Sequence, residues 1–192
     1  MLSEDRKTIA SVLAGNSTDF AELVEKYQRR LLGLMWHACG SRELAEDMTQ
    51  EAFARAYRSL DSFSGEAQFY TWLSRIAMNA LISHRRRKNI ENQQSREGFD
   101  AAIETEGSVE QPDLKAQKDE TKTAVQRAIA MLDEERRQVL LLRDFDGLDY
   151  EAISNVLDVP VGTVRSRLHR ARRDLREYLA PQAAELGFAD HE

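Results

Sequence analysis

The stretch "FYTWLSRIAMNAL" places Phe69, Trp72, Leu73, Ile76, Ala77, Ala80 and Leu81 at i, i+3, i+4 spacing over three turns. That recurrence matches an α-helix with one apolar face and conflicts with the period of two of a half-buried strand. A helix striped in this way must be covered by other elements. The candidates are helical too. "DFAELVEKYQRRLLGLMWHACG" repeats the pattern through Phe20, Leu23, Val24, Tyr27, Leu31, Leu34 and Met35, with Asp19 a candidate N-cap and Gly40 a candidate stop. "RELAEDMTQEAFARAYRSL" follows the break at Gly40 and Ser41 and ends near Asp61. The first ~90 residues therefore read as helical, although no individual helix is assigned ahead of Asp19.

Only 9 Gly and 3 Pro among 192 residues, with 31% charged and 42% hydrophobic, fit helices with wet faces rather than strands and tight turns. The expected fold class is all-α. From Asn89 to Glu120 the period is lost and the segment turns polar around Gly98, Gly107 and Pro112, as a linker does. Between Glu97 and Glu120 eight acids face only Lys115 and Lys118, a net of −6 that equals the charge of the whole chain. The last ~70 residues resume helical spacing through "TAVQRAIAMLD", "EERRQVLLLRDFDG" and "DYEAISNVLD", broken at Asp133 and Gly147. The expected organisation is two small helical domains, 1–90 and 121–180, joined by a flexible acidic linker, 91–120. A tail over 181–192, mildly apolar around Leu186 and Phe188, reads as a frayed terminus.

The fourth helix of the second domain is "VPVGTVRSRLHRARRDL" and its continuation to Tyr178. It carries six arginines against Asp174 and Glu177, a net of +4. At ~100° per residue, Val164, Leu168, Ala171 and Leu175 form an inward stripe. Arg165, His169, Arg172 and Arg176 lie beside it, and Ser166, Arg170 and Arg173 continue around the exposed side. The preceding short helix is expected to bury Ala152, Ile153, Val156 and Leu157, and Pro160 suits the start of the next. Two helices joined by so short a turn, the second basic, make a helix-turn-helix pattern whose arginines suit guanine edges and phosphates. A solvated face stitched by Arg170–Asp174 and Arg173–Glu177 pairs is the plainer reading of the same helix.

Other chemistry finds little support. Cys39 is the only cysteine, which excludes an intramolecular disulfide and multi-cysteine zinc sites. His37, His84, His169 and His191 lack metal-binding spacing, and no GxSxG or phosphate-cradling glycine loop occurs. No catalytic site, cofactor or metal is expected. The charged start and the lack of a run of ~18 apolar residues argue against a secretory signal or membrane span, so a cytoplasmic protein is expected.

The strings "AEDMTQEAFARAYRSLDSF", "FYTWLSRIAMNAL" and "LRDFDGLDYEAISNVLDVPVGTVRSRLHRAR", in this order around a variable linker, closely resemble bacterial RNA polymerase sigma factors of the extracytoplasmic-function group. The resemblance implies a helical region-two domain and a helical region-four domain. It also implies binding to core polymerase, recognition of minus-ten and minus-thirty-five promoter elements, help in melting DNA, and no catalytic site. Glu43, Asp47, Gln50 and Glu51 would form the acidic strip that docks on the beta-prime coiled coil, the beta flap being a further core contact. Ser62, Phe63, Ser64 and Gly65 would wall a pocket for a flipped minus-ten base. Arg75, Asn79, Ser83, Arg85 and Arg86 would meet the minus-ten region, while Phe69 and Trp72 read as core.

In region four, Arg165, Ser166, His169 and Arg170 would enter the minus-thirty-five major groove. Arg143, Tyr150, Thr163, Arg167 and Arg172 would grip phosphates. His169 departs from the aromatic residue often found there. The linker would thread polymerase channels, or serve only as a solvated tether. The resemblance further implies a monomer when free, held by an anti-sigma factor and released in a stress response. A helix-turn-helix regulator acting without polymerase is the alternative, and it leaves the acidic strip and the loop without a role.

Overall fold

The computed structural model describes residues 2–96 and 116–182. The middle of the linker, 97–115, and the tail from 183 lie outside the described residues. The chain divides into two compact units, and the described residues form helices and no strand.

The first unit contains α1 (Leu2–Leu13), α2 (Phe20–Cys39), α3 (Arg42–Arg58) and α4 (Phe69–Arg96). In α2 the expected stripe is buried through Phe20, Leu23, Tyr27, Leu31, Leu34 and Met35. Gly40 stops it at φ +72°, where a side chain would be strained, and returns its N–H to the Trp36 carbonyl. Asp19 does not cap α2. A 3₁₀ turn, Ser17–Asp19, runs straight into the helix, and the Asp19 carboxylate accepts the Ser11 hydroxyl at 2.5 Å instead.

Ser41 caps α3 by accepting from the Leu44 N–H. Ala45, Ala52 and Ala56 are wholly buried along α3, so its backbone lies close to its neighbours. On α4 the buried face is broader than the sequence stripe: Tyr70, Ser74 and Met78 join Phe69, Leu73, Ala77, Ala80 and Leu81, while Trp72 and Ile76 are half-buried. α1 buries Ile9 and Val12.

The chain continues with α5 (Ala116–Met131), α6 (Glu134–Leu140), α7 (Tyr150–Leu157) and α8 (Val161–Leu179), all in the second unit except the end of α7 from Asn155. α4 and α5 thus extend into the stretch read as linker. No Gly or Pro interrupts residues 89–96 or 116–131, so nothing local ends the hydrogen-bond ladder there. Asp133 caps α6, accepting the Arg136 N–H at 2.8 Å, and α6 continues as a π turn over Leu141–Phe145. Asp149 accepts the Ala152 N–H at 2.7 Å at the start of α7.

Between α7 and α8 the chain turns at Asp158, φ +54°, a left-handed position that Asp tolerates better than most side chains. The Pro160 carbonyl then receives the N–H groups of Thr163 and Val164, which fixes the first turn of α8. Ile153 and Val156 are buried, whereas Ala152 and Leu157 are only half-buried. Among the described residues no helix is long and apolar enough to cross a membrane.

Candidate nucleic-acid interface

α8 sorts its arginines by position. Val164, Leu168 and Ala171 are buried as expected, but the fourth place on that face belongs to Asp174, 8% exposed, with Leu175 half-buried. The Asp174 carboxylate does not meet Arg170. It accepts from Arg136 of α6 and from Arg173 at 3.3 Å, while Arg173 also reaches Glu177 at 3.7 Å. Arg167 is half-buried and pairs with Glu135 at 2.6 Å. Arg172 forms a two-pronged pair with Asp144, at 3.0 and 2.5 Å. Two arginines read from the sequence as phosphate grips are therefore held by acids of their own unit. Arg143 donates to the Leu148 carbonyl at 2.8 Å and lies over the Tyr150 ring at 5.2 Å, so it braces the loop before α7.

What remains on the open side of α8 is Arg165, Ser166, His169 and Arg170, all exposed. Arg165 rests over the Tyr150 ring at 5.6 Å, and Ser166 donates to the Thr163 carbonyl, Thr163 itself being half-buried. His169 and Arg170 take no hydrogen-bond or ion-pair partner among the described residues. A nucleic acid could meet these four side chains without first displacing an acid, and the same holds for the exposed Arg176 nearer the end of α8.

The Asp174 cluster gives the unit an acid limb. Burial raises the carboxyl's pKa, but the bonds from Arg136 and Arg173 lower it further, leaving it below the ordinary 3.8. A carboxyl whose folded value is depressed stabilises the fold fully above its unfolded value, and that contribution is lost as pH falls through the folded value. Thermal melts of the full chain between about pH 5 and pH 2 should therefore show a shallower acid loss for Asp174→Asn than for the parent. Equal slopes would remove the cluster from the account.

In the first unit the loop after α3 begins with a 3₁₀ turn, Leu60–Ser62. Ser62 donates to the Ser59 carbonyl, Ser64 accepts from the Glu66 N–H, and Gly65 takes φ +75°. Phe63 is half-buried against Phe69 and Trp72, with ring centroids at 5.8 and 5.3 Å. Arg75, Asn79, Ser83 and Arg86 are exposed on α4. Arg85 differs: it donates to the Ala38 carbonyl at 2.6 Å, closing the end of α2. Cys39, next to that carbonyl, is half-buried, and burial pushes its thiol up to about 11, Arg85 opposing, so it stays protonated at neutral pH. No group of acids, histidines and cysteine among the described residues could hold a metal.

On α3, Glu43, Asp47 and Gln50 are exposed. Glu51 is engaged: Arg55 binds it at 2.6 Å and Arg58 lies 3.8 Å away, and the Arg55 hydrogen bond holds its carboxyl below the usual range. Asp47, Gln50 and Glu51 share a shallow depression with Met48, Ala54, Arg55, Ala80 and Arg87. The arginines of this depression were not anticipated as part of an acidic strip.

Residues 23–90 match the family described as Sigma-70 region 2, and residues 122–175 match Sigma-70, region 4. The RNA polymerase sigma-H factor of Pseudomonas aeruginosa is 38% identical over 93% of this chain and 95% of its own length. The ECF RNA polymerase sigma-E factor of Escherichia coli K12 is 36% identical over 92% and 95%. Among solved structures, the sigma factor RpoE of Bartonella quintana, crystallised with the anti-sigma factor NepR, matches with a TM-score of 0.67 at 25% identity, covering 84% of this chain and 97% of that one. CnrH, solved with the cytosolic domain of CnrY, has the same fold, with a TM-score of 0.67 at 24% identity over 92% and 97%. With both conserved regions matched in order and relatives aligned over nearly their whole length, this chain belongs to the extracytoplasmic-function group of RNA polymerase sigma factors.

Proposed function

We propose that this sigma factor divides its work between its two units as the residues of each suggest. The exposed acids Glu43 and Asp47, with Gln50 and Glu51, dock on the basic beta-prime coiled coil of core polymerase, where opposite charge steers the encounter. The loop Ser62–Gly65 receives an unstacked minus-ten base, and the α4 face of Arg75, Asn79, Ser83 and Arg86 meets the adjoining strand. Region four takes the beta flap and places α8 in the minus-thirty-five groove. Arg85 serves α2 rather than DNA.

The observation that carries this reading is the sorting on α8. Arg167 and Arg172 are paired to acids, whereas Arg165, His169 and Arg170 face solvent. The donors left open are thereby gathered on one side of α8, where a groove could take them without breaking an existing ion pair. The domain limits 1–90 and 121–180, the acidic linker as a polymerase-channel segment, and a cytoplasmic monomer when free belong to the same proposal. So do release under stress and restraint by an anti-sigma factor, the restraint alone being supported by the complex of the Bartonella relative.

Adding the purified chain to sigma-free core polymerase should give promoter-specific run-off transcripts. Reversing Glu43 and Asp47 to lysine should weaken core binding, most strongly at low salt. Absence of any promoter-dependent transcript across cellular promoters would return the helix-turn-helix regulator to first place.

A further inference from the structure

The region-2 match begins at residue 23, so α1 lies outside it. Yet α1 is fastened to the unit at successive turns. Asp5, 8% exposed, accepts the Tyr27 hydroxyl at 2.6 Å and pairs with Lys26 at 2.5 Å. Thr8 donates to Glu22 at 3.0 Å, and Ser11 to Asp19 at 2.5 Å. From this anchored helix Arg6 donates its Nη2 to the Gly65 carbonyl at 2.9 Å, across 59 residues of sequence.

The loop is thus tied to α1 from both halves. On one side Arg6 holds the Gly65 carbonyl directly. On the other, Phe63 leans on Phe69, Phe69 lies 5.7 Å from the Tyr27 ring, and the Tyr27 hydroxyl is held by Asp5. A loop containing a glycine at φ +75° has many conformers open to it, because glycine adopts left-handed and extended backbone with equal ease. An external donor on that glycine's own carbonyl selects among them.

We propose that α1 is a positioning element for minus-ten recognition, with Arg6 fixing the loop Ser62–Gly65 in the conformation that receives the unstacked non-template base. Arg6 acts through the loop and touches no base itself. The inference rests on the reading of that loop as the base pocket. If only a fraction of molecules present the pocket, apparent affinity falls by that fraction, and base discrimination falls with it.

The test uses holoenzyme and single-stranded oligonucleotides of the non-template minus-ten strand, with each of the four bases at the captured position. Arg6→Ala should bind the preferred oligonucleotide about fivefold more weakly, the weight of one guanidinium–carbonyl bond. Discrimination among the four bases should narrow, while core binding stays at the parental value and thermal stability falls by no more than one such bond contributes. Arg6→Lys, which keeps a cationic donor, should recover most of the loss. Parental affinity and discrimination in Arg6→Ala would overturn the inference. Phe63→Ala, run alongside, separates the two ideas. If it loses oligonucleotide binding while Arg6→Ala does not, the pocket stands and the role of α1 falls. If both variants bind as the parent does, the pocket reading has failed and the inference goes with it.

Discussion

Holoenzyme carrying Arg170→Ala should bind a promoter duplex with its preferred minus-thirty-five element at least about fivefold more weakly at fixed salt, because a bidentate arginine–guanine contact is worth ~1–3 kcal/mol. The loss should be concentrated on sequence. Scanning the element one base pair at a time, the variant should be indifferent at one position where the parent discriminates, and its affinity for unrelated duplex should fall far less. The physical ground is that Arg170 is exposed on α8, about a quarter turn from a stripe that includes the fully buried Val164 and Ala171. Its guanidinium can form a fork on a base edge without giving up a bond already made. A uniform loss across all sequences would make Arg170 a phosphate grip and shift base reading to Arg165.

Arg172 provides the internal contrast. Its guanidinium already spends two donors on Asp144, and that bond raises its pKa, so a phosphate must share or displace an acid. Its contribution to DNA affinity is therefore smaller than its charge suggests. Arginines of equal charge on one helix are unequal because their neighbours differ, and net charge conceals this.

The same distinction explains how far the sequence could be read. The helices α2, α3, α4 and α8 were legible because each repeats apolar residues at helical spacing for several turns, a local signal needing no partner. The exposed row on α8 was legible for the same reason, as the remainder of a periodic face. α1 was not: its buried residues Ile9 and Val12 are few, and Glu4, Asp5, Arg6 and Lys7 dilute the stripe.

Nor could spacing find long-range pairs. Asp174 looked like the natural i, i+4 partner of Arg170, yet its actual partner Arg136 lies 38 residues away, and its place on the buried face follows from that pair. Arg85 was read as one of the residues meeting the minus-ten region, but the fold carries it to a carbonyl of α2. Asp19 had the right chemistry for a cap and the wrong backbone, since the turn before it was already helical. In each case the residue type was read correctly, and its partner was a matter of tertiary structure.

The largest stability loss is expected at Arg137, which looks in sequence like one more solvated charge of "EERRQVL". Its side chain lies along the end of α5, where Nε donates to the Ile129 carbonyl at 3.1 Å and Nη2 to those of Ala130 and Leu132 at 2.8 and 2.7 Å. The last turn of any helix leaves carbonyls without an intrahelical donor, and here one guanidinium from α6 serves three carbonyls at that end. Burial holds the Arg137 pKa below arginine's ordinary value, with the charge of Asp133 opposing, so the group is desolvated for this task. Arg137→Met keeps the apolar stem and removes all three bonds, leaving the Leu132 carbonyl without this donor and the exposed Ala130 carbonyl to water, while the Ile129 carbonyl keeps only the Leu132 N–H at 3.2 Å. A loss of about 3 kcal/mol is expected, since bonds to charged donors contribute ~1.5–3 kcal/mol each before solvent relaxation. For a unit of this size that lowers Tm by roughly 15 °C. Arg137→Lys, with a single ammonium on a flexible stem, should recover less than half, because it cannot present two nitrogens to separate carbonyls in one plane. Thermal melts of the full chain should show the transition of the second unit moving while that of the first stays in place. At temperatures where both variants are folded, minus-thirty-five affinity should match the parent, which separates a helix closure from a DNA contact. A melt of Arg137→Met within a few degrees of the parent would mean that water closes α5 as well as the guanidinium does.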